Sequence, residues 1–264
     1  MIKSIKYKND DLSYYDDGKG KVVVLLHGFL ENHSFWEPLT KKLKKKFRVI
    51  APDIPGHGET ASLGYLHSME LLADSVFEIL KKNKLRKVDL VGHSMGGYVA
   101  LAFIEKYPDY VRSITLLNST ARDDSALKKK DRDRAIALIK KNPNLFISTA
   151  IPSLYVDSPT KKIQQAIEKS MIMAKECSVK GIVACLEGMK LRSNREIVLR
   201  FAPCPVLIIA GRKDKTIPIE QIEEQISMLE MPSVYLSEKG GHMCLYEDTN
   251  PTIQAIEDFL SHKR

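Results

Sequence analysis

The feature that most constrains the fold is a set of six short runs rich in aliphatic and β-branched residues. They are VVVLL (22–26), RVIA (48–51), KVDLV (87–91), SITLL (113–117), VLIIA (206–210) and VYL (234–236). Apolar residues follow one another within most of these runs instead of alternating with polar ones, which is typical of strands covered on both faces. The runs therefore predict a buried, mostly parallel sheet.

Helical patterns separate these runs. In LLADSVFEILKK (71–82), the apolar residues form one stripe, as in a helix that packs on a sheet. In NPTIQAIEDFL (250–260), we expect Asn250 to cap a helix and Pro251 to be its first residue. Alternating strands and helices predict a doubly wound α/β fold. The polar-flanked segments before residue 18 predict an antiparallel hairpin at one edge.

This alternation stops between Ala121 and Arg200, where no strand-like run occurs. The stretch instead contains four helical patterns: RDRAIALIKK, NLFISTAIPSLY, PTKKIQQAIEKSMIMAKE and VKGIVACLEGMKL. A helical stretch of roughly 80 residues between two strands of one sheet is too long for an ordinary connection. We therefore expect a core formed by residues 1–120 and 201–264, with residues 121–200 inserted as a helical cap or lid.

Composition and charge exclude several classes of protein. The 264 residues carry 41 Lys and Arg against 33 Asp and Glu, a net charge of +8. The lysines cluster near the ends of predicted helices without interleaved aromatic residues, so we expect a solvated surface and no nucleic-acid partner. The first residues lack the apolar core of a secretory signal, and no apolar run is long enough to span a membrane. These features favour a soluble, cytoplasmic protein.

The four cysteines have no spacing that indicates a metal or redox site. Cys177, Cys185, Cys204 and Cys244 form no C-x-x-C pair and no ligand pattern with histidine. We expect reduced thiols, no metal and no cofactor, and we interpret Cys244 as a small buried residue.

The segment GHSMG (92–96) contains a candidate nucleophile. Ser94 follows the strand KVDLV directly and precedes the helix GGYVALAFIEKY, which is the strand, turn and helix context of a G-x-S-x-G elbow. On such a sharp turn the backbone is strained and neighbouring main chains lie close, so glycines at 92 and 96 avoid clashes. We expect the Ser94 hydroxyl to lie exposed at the carboxyl end of the sheet.

A serine nucleophile needs a base and an acid that orients the base. Asp214 follows the strand VLIIA, and His242 lies in a glycine-rich loop after the strand VYL, in the order Ser, Asp, His. His27, His57 and His93 are rivals for the base. Asn118 follows SITLL but carries no charge, so Asp123 and Asp124 are the rivals for the acid. Ser94, Asp214 and His242 are the predicted catalytic triad.

The loop LLHGFLENHSFW predicts an oxyanion hole. After Gly28, the backbone amide of Phe29 can point at the reacting carbonyl together with the amide of Met95. We expect His27 to brace this loop. Asp53 and His57, in PDIPGHGET, are expected to fix a neighbouring loop rather than to act on substrate.

The complete pattern resembles the α/β-hydrolase superfamily. The motifs that carry the resemblance are HGF (27–29), DIPGHG (53–58), GHSMGG (92–97), GRKD (211–214) and GGH (240–242), in that order. It is similar to the small, cap-containing esterase-type branch, which also includes enol-lactonases, carbon–carbon bond hydrolases and cofactor-free haloperoxidase-like enzymes. The resemblance implies an eight-stranded, mostly parallel sheet with a cap inserted after the sixth strand.

The predicted function is hydrolysis of a small to medium carboxylic ester through an acyl-enzyme, with no cofactor and a small-molecule substrate. A lactone, thioester or carbon–carbon bond substrate on the same triad is an alternative, and a receptor-like signalling binder is another. Ile139, Phe146, Met171 and Met173 of the insertion are candidates for an apolar acyl pocket, but for most of them we expect that the cap helices simply pack on the sheet.

Overall fold

The computed structural model describes residues 1–262; the last two residues of the predicted core segment 201–264 lie outside this range. The strands are β1 Ile2–Tyr7, β2 Asp10–Asp17, β3 Val22–Leu26, β4 Arg48–Pro52, β5 Val88–His93, β6 Val111–Leu117, β7 Val206–Gly211 and β8 Ser233–Ser237. The helices are α1 Glu37–Leu43, α2 Met69–Lys82, α3 Met95–Lys106, α4 Ala126–Lys141, α5 Pro143–Ser153, α6 Lys161–Glu176, α7 Val179–Leu191, α8 Glu196–Arg200, α9 Ile219–Ser227, α10 Cys244–Glu247 and α11 Thr249–Ser261.

All eight strands form one sheet in the order β1-β2-β4-β3-β5-β6-β7-β8. The pairs β1/β2 and β2/β4 are antiparallel, and every other pair is parallel. Every residue of β3 and of β5 is buried, which explains the continuous apolar runs in their sequences. The predicted eight-stranded, mostly parallel sheet with a hairpin at one edge is confirmed.

The helices that flank the sheet follow the predicted patterns, with one error of position. Helix α2 buries the predicted stripe, and the Ser68 side chain caps its first turn by accepting a hydrogen bond from the Leu71 amide. The prediction that Asn250 caps the last helix and that Pro251 is its first residue was wrong, because α11 begins at Thr249, after Asp248. The Asp248 side chain does not cap the helix; its carboxylate accepts hydrogen bonds from the hydroxyls of Tyr235 and Ser237 on β8.

Between β6 and β7, the described chain forms five helices and no strand. We call this segment, residues 118–205, the insertion. Four of its helices match the predicted patterns, and α8 is an additional short one. Gly188 of α7 approaches the core so closely that an added Cβ would lie 1.7 Å from the carbonyl oxygen of His67. The insertion is therefore tightly packed on the core loop before α2.

No helix within residues 1–262 has the length and apolar character needed to cross a membrane.

Candidate active site

Ser94 lies at the turn from β5 into α3, where the backbone is held in an unusual conformation. Its φ is 48° and its ψ is −115°, which a non-glycine residue rarely adopts. The turn is fixed from both sides, because the Ser94 amide donates to the Leu117 carbonyl at 3.0 Å and its carbonyl accepts from the Ser119 hydroxyl at 2.8 Å. At Gly96, a Cβ would lie 2.0 Å from the Leu26 carbonyl oxygen, so only glycine fits.

The three residues predicted as a triad lie within hydrogen-bond distance of one another. The Ser94 hydroxyl is 2.9 Å from Nε2 of His242, and Nδ1 of His242 is 2.8 Å from the Asp214 carboxylate. His242 and Asp214 are buried, whereas Ser94 is half-buried and lines a cavity. This geometry suits transfer of the serine proton to the imidazole, with the carboxylate holding Nδ1 protonated.

The Asp214 carboxylate is surrounded by donors. The amides of Thr216 and Ile217 donate to its Oδ1 at 2.8 and 3.0 Å, and the Asn118 side-chain amide donates to Oδ2 at 3.1 Å. Burial alone would raise the pKa of this carboxyl, but the charge and hydrogen bond of His242, together with these backbone amides, hold the pKa below its ordinary value. Asp214 is therefore ionised at neutral pH.

Asn118 has a second role that its sequence position did not indicate. Its amide also donates to the Gly241 carbonyl at 2.9 Å, so one side chain joins the Asp214 loop to the His242 loop. The rival acids lie elsewhere, because Asp123 and Asp124 are in the wall of the cavity and Asp124 pairs with Arg192 at 2.5 Å.

The loop that carries the expected oxyanion donors is braced as predicted. Nδ1 of His27 donates to the Gly28 carbonyl at 2.7 Å, and its Nε2 accepts from the Ile54 amide at 2.9 Å. Nε2 of His57 accepts from the Leu30 amide at 3.2 Å. Within residues 1–262, neither the Phe29 amide nor the Met95 amide donates to a protein acceptor. Both amides therefore remain available as hydrogen-bond donors.

Glu31, which the sequence did not single out, forms a buried ion pair with His93. Its carboxylate is 3.0 Å from Nδ1 of His93 and accepts from the Gly28 amide at 2.6 Å. The other ring nitrogen, Nε2, is 3.0 Å from the carbonyl oxygen of His242. Both ring nitrogens thus face acceptors, an arrangement that favours the doubly protonated, positively charged imidazolium.

The electrostatics of His93 agree with this assignment. Burial lowers its pKa, but the charge and hydrogen bond of Glu31 and the bond to the His242 carbonyl outweigh burial and raise the pKa above its ordinary value. Glu31 and His93, which are 62 positions apart, thereby connect the loop of Gly28 and Phe29 to the turn that carries Ser94 and to the loop of His242. The available sequence signal was an acidic residue three positions after Gly28.

Glu247 fixes the loop of His242 from the other side. Its carboxylate accepts hydrogen bonds from the amides of Gly241 at 2.6 Å and Met243 at 3.1 Å, and from Val156 of the insertion at 2.7 Å. Burial raises the pKa of this carboxyl despite the three amides. Glu247 therefore connects the position of the imidazole to the position of the insertion.

Ser94 and His242 open into a cavity of about 560 Å³ between the sheet and the insertion. This volume suits a small organic molecule. Of the four residues predicted for an apolar pocket, only Phe146 lines it. Ile139, Met171 and Met173 do not line the cavity; they pack into the hydrophobic core or against it, which is the alternative expected for most of the four. The apolar lining comes instead mainly from Phe29, Tyr98, Ala135, Leu154, Leu186, Met189, Ile217 and Pro218.

The four cysteines are free thiols, and Cys244 is fully buried. Across residues 1–262, no group of three or more His, Cys, Asp or Glu side chains is arranged to hold a metal ion.

Comparisons with known proteins agree with this architecture. The chain is 30% identical to a thermophilic esterase from Thermogutta terrifontis, whose malate-bound structure superposes with a TM-score of 0.90 over 98% of both chains. The enol-lactonase from Burkholderia xenovorans is 19% identical and has the same fold, with a TM-score of 0.91 over 98% of this chain and 100% of that one.

Curated proteins give similar matches. The (E)-2-((N-methylformamido)methylene)succinate hydrolase of Acinetobacter baylyi is 24% identical over 98% of both chains. The 2-hydroxy-6-oxo-2,4-heptadienoate hydrolase of Pseudomonas putida is 26% identical over 95% of this chain and 93% of its own. The family model described as alpha/beta hydrolase fold matches residues 21–249. The chain therefore belongs to the α/β-hydrolase family.

Proposed function

We propose that the chain is a carboxylesterase-type serine hydrolase that cleaves small to medium carboxylic esters through an acyl-enzyme. The observation that carries the proposal is the continuous hydrogen-bonded series from the Ser94 hydroxyl through His242 to Asp214, beside a cavity. The 30% identity to an esterase over nearly the full length supports the reaction class.

In the first step, Ser94 Oγ attacks the ester carbonyl carbon while His242 Nε2 accepts the hydroxyl proton. The carbonyl oxygen becomes an oxyanion, to which the amides of Phe29 and Met95 donate hydrogen bonds. Loss of one such donor typically costs about 2.7–4 kcal/mol of transition-state stabilisation. Asp214, ionised through its own hydrogen bonds, stabilises the imidazolium that forms.

In the second step, the bond between the carbonyl carbon and the alcohol oxygen breaks, and the imidazolium gives its proton to the departing alcohol. Water then takes the place of the alcohol and loses a proton to His242 Nε2 as it attacks the acyl carbon. The acid leaves, and the proton returns to Ser94. No cofactor enters either step.

We further propose that the helices of residues 121–200 act as a cap that selects the substrate. Helices α4, α5 and α7 supply part of the cavity lining, whereas Ser94, Phe29 and His242 belong to the core. Lactone, thioester and carbon–carbon bond substrates would meet the same reacting groups, so they belong in the test.

The test compares wild type with Ser94→Ala, and uses Ser227→Ala, at an exposed position on α9, as a matched control. A panel of p-nitrophenyl esters of increasing acyl length, with lactones and thioesters beside them, gives the rates, and a fluorophosphonate probe reports the nucleophile. We expect Ser94→Ala to lose hydrolysis and labelling without losing thermal stability, and the control to keep both.

Rapid turnover by Ser94→Ala would overturn the proposal. Strong labelling of the wild type combined with negligible rates on every substrate class would favour the receptor-like binder instead.

A further inference from the structure

One wall of the active-site cavity is rich in charged side chains, which is unusual for a pocket that would accept only apolar acyl groups. The guanidinium groups of Arg132 and Arg192 both contact the buried Asp124 carboxylate. The Arg192 guanidinium also lies 4.1 Å from the centre of the Tyr98 ring. A third arginine, Arg122, pairs with two glutamates outside the cavity. Each arginine of the lining thus has a carboxylate partner.

Lys128, on the first turn of α4, is the exception. Its side chain lines the same cavity as Ser94 and is half-buried. Its ammonium group has no hydrogen-bond or ion-pair partner anywhere in residues 1–262. Of the nearby acids that line the cavity, Asp131 pairs with Arg134 and Asp123 is exposed to solvent. The wall therefore presents one cation that the protein itself does not neutralise.

The surroundings make this lone charge unfavourable. Burial, and secondly the charge of Arg132, lower the pKa of the Lys128 ammonium, and the carboxylates of Asp124, Asp131 and Asp214 offset this only in part. A partly desolvated cation without a counter-ion is costly, and an anion bound next to it would remove that cost.

We propose that Lys128 binds a carboxylate of the substrate, so that the preferred substrates are esters that carry a free carboxylate away from the ester bond. We expect one substrate carboxylate at this wall, because Lys128 offers a single ammonium group. The neighbouring guanidinium groups of Arg132 and Arg192 are already paired with Asp124. This inference rests on the proposed esterase function and specifies its substrate class. Apolar side chains such as Phe146 and Leu186 line the same cavity and suit the carbon chain between the two groups.

The test measures kcat and KM for pairs of esters of equal length. The first pair sets monomethyl esters of dicarboxylic acids, from succinate to suberate, against methyl esters of the matching monocarboxylic acids. A second pair places the free carboxylate in the alcohol part, which shows which half of the substrate Lys128 meets. The proteins are wild type, Lys128→Met, Lys128→Arg and the control Lys130→Met, at an exposed position on the same helix.

We expect wild type to prefer the anionic member of one pair by about tenfold to hundredfold in kcat/KM, the usual range for a hydrogen bond to a charged group. Lys128→Met should lose this preference, mainly through a higher KM for the anionic esters, so that the ratio of kcat/KM between anionic and neutral esters falls towards one. Lys128→Arg should retain most of the preference, and Lys130→Met all of it.

A binding measurement separates this inference from the proposed function. Calorimetry with Ser94→Ala reads the affinity for a dicarboxylate monoester without turnover, and the double variant with Lys128→Met should bind it about tenfold or more weakly. Equal rates of wild type on anionic and neutral esters would overturn the inference and leave the esterase function standing. If Lys128→Met lost activity on anionic and neutral esters to the same extent, this result would also overturn the inference, because it would indicate a structural role for Lys128. Absence of hydrolysis throughout, with intact binding, would overturn only the esterase function.

Discussion

Replacing Glu31 by glutamine tests whether His93 is charged. Glutamine keeps the size of the side chain, but its amide supplies one acceptor oxygen for two donors, the Gly28 amide and Nδ1 of His93. Both members of the ion pair are buried, with exposures of 4% for Glu31 and 1% for His93. Removing one partner of such a pair typically costs about 3–5 kcal/mol, because the remaining charge is left uncompensated.

The cost should depend on pH. In wild type the pKa of His93 is raised above its ordinary value of about 6.5. The stabilisation from the pair is therefore complete below about pH 6.5 and is lost as pH rises through the higher pKa of the folded state. In Glu31→Gln, loss of the carboxylate leaves burial to lower the pKa of His93. We expect a deficit in the free energy of unfolding of about 3 kcal/mol near pH 5.5, shrinking to about 1–2 kcal/mol near pH 8.5.

Urea unfolding at the two pH values measures this deficit, and nitrogen-15 NMR of the imidazole rings reads the protonation of His93 directly. The groups around the ring are Glu31, the His242 carbonyl, the stacked Phe35 ring at 4.6 Å and the His242 ring at 5.3 Å. The charge of Asp214 acts in the same direction as Glu31 and also raises the pKa of His93. Glu230→Gln, at an exposed position, is the control. A neutral His93 in wild type near pH 6, or a deficit that does not change with pH, would refute the reasoning.

Two further predictions concern loops beside the site. Asp53→Asn should lower the free energy of unfolding by about 1–3 kcal/mol. The buried carboxylate accepts hydrogen bonds from the backbone amides of His33 and Glu59, and the NH2 group of an asparagine would face one of these donors. We expect kcat to be nearly unchanged, because Asp53 fixes a loop and does not act on the substrate. Urea unfolding and ester kinetics check this, and a loss of kcat at unchanged stability would contradict it. Burial lowers the pKa of His57 to about 3 and the pKa of His67 to about 4. Between about pH 6.5 and pH 4, these two histidines therefore bind protons in the unfolded chain but not in the folded chain. The free energy of unfolding should consequently fall as the pH drops through this range. Denaturant titrations across that range measure the slope, and a flat profile would be inconsistent with neutral buried imidazoles.

Residues that act through local geometry were predictable from the sequence. Continuous apolar runs predicted six strands because strands covered on both faces need apolar residues at every position. The glycines around Ser94 predicted a tight turn, since a Cβ at Gly96 would meet the backbone of β3. Asp214 and His242 were indicated by their places just after strands, because parallel strands bring such positions to one edge of a sheet.

Contacts between distant side chains were decided only by the tertiary structure. Glu31 and His93 are 62 residues apart, and Asn118 joins Asp214 to Gly241 across an even longer interval. No periodicity or motif records such pairs, because the energy of a buried polar group depends on which partner the fold places beside it. Packing of the insertion on the core likewise decides that Phe146, alone of the four candidates for the pocket, lines the cavity, and that Lys128 does so too. In the insertion, the sequence periodicity indicates which residues share the apolar face of a helix, whereas packing on the core decides which of them line the cavity.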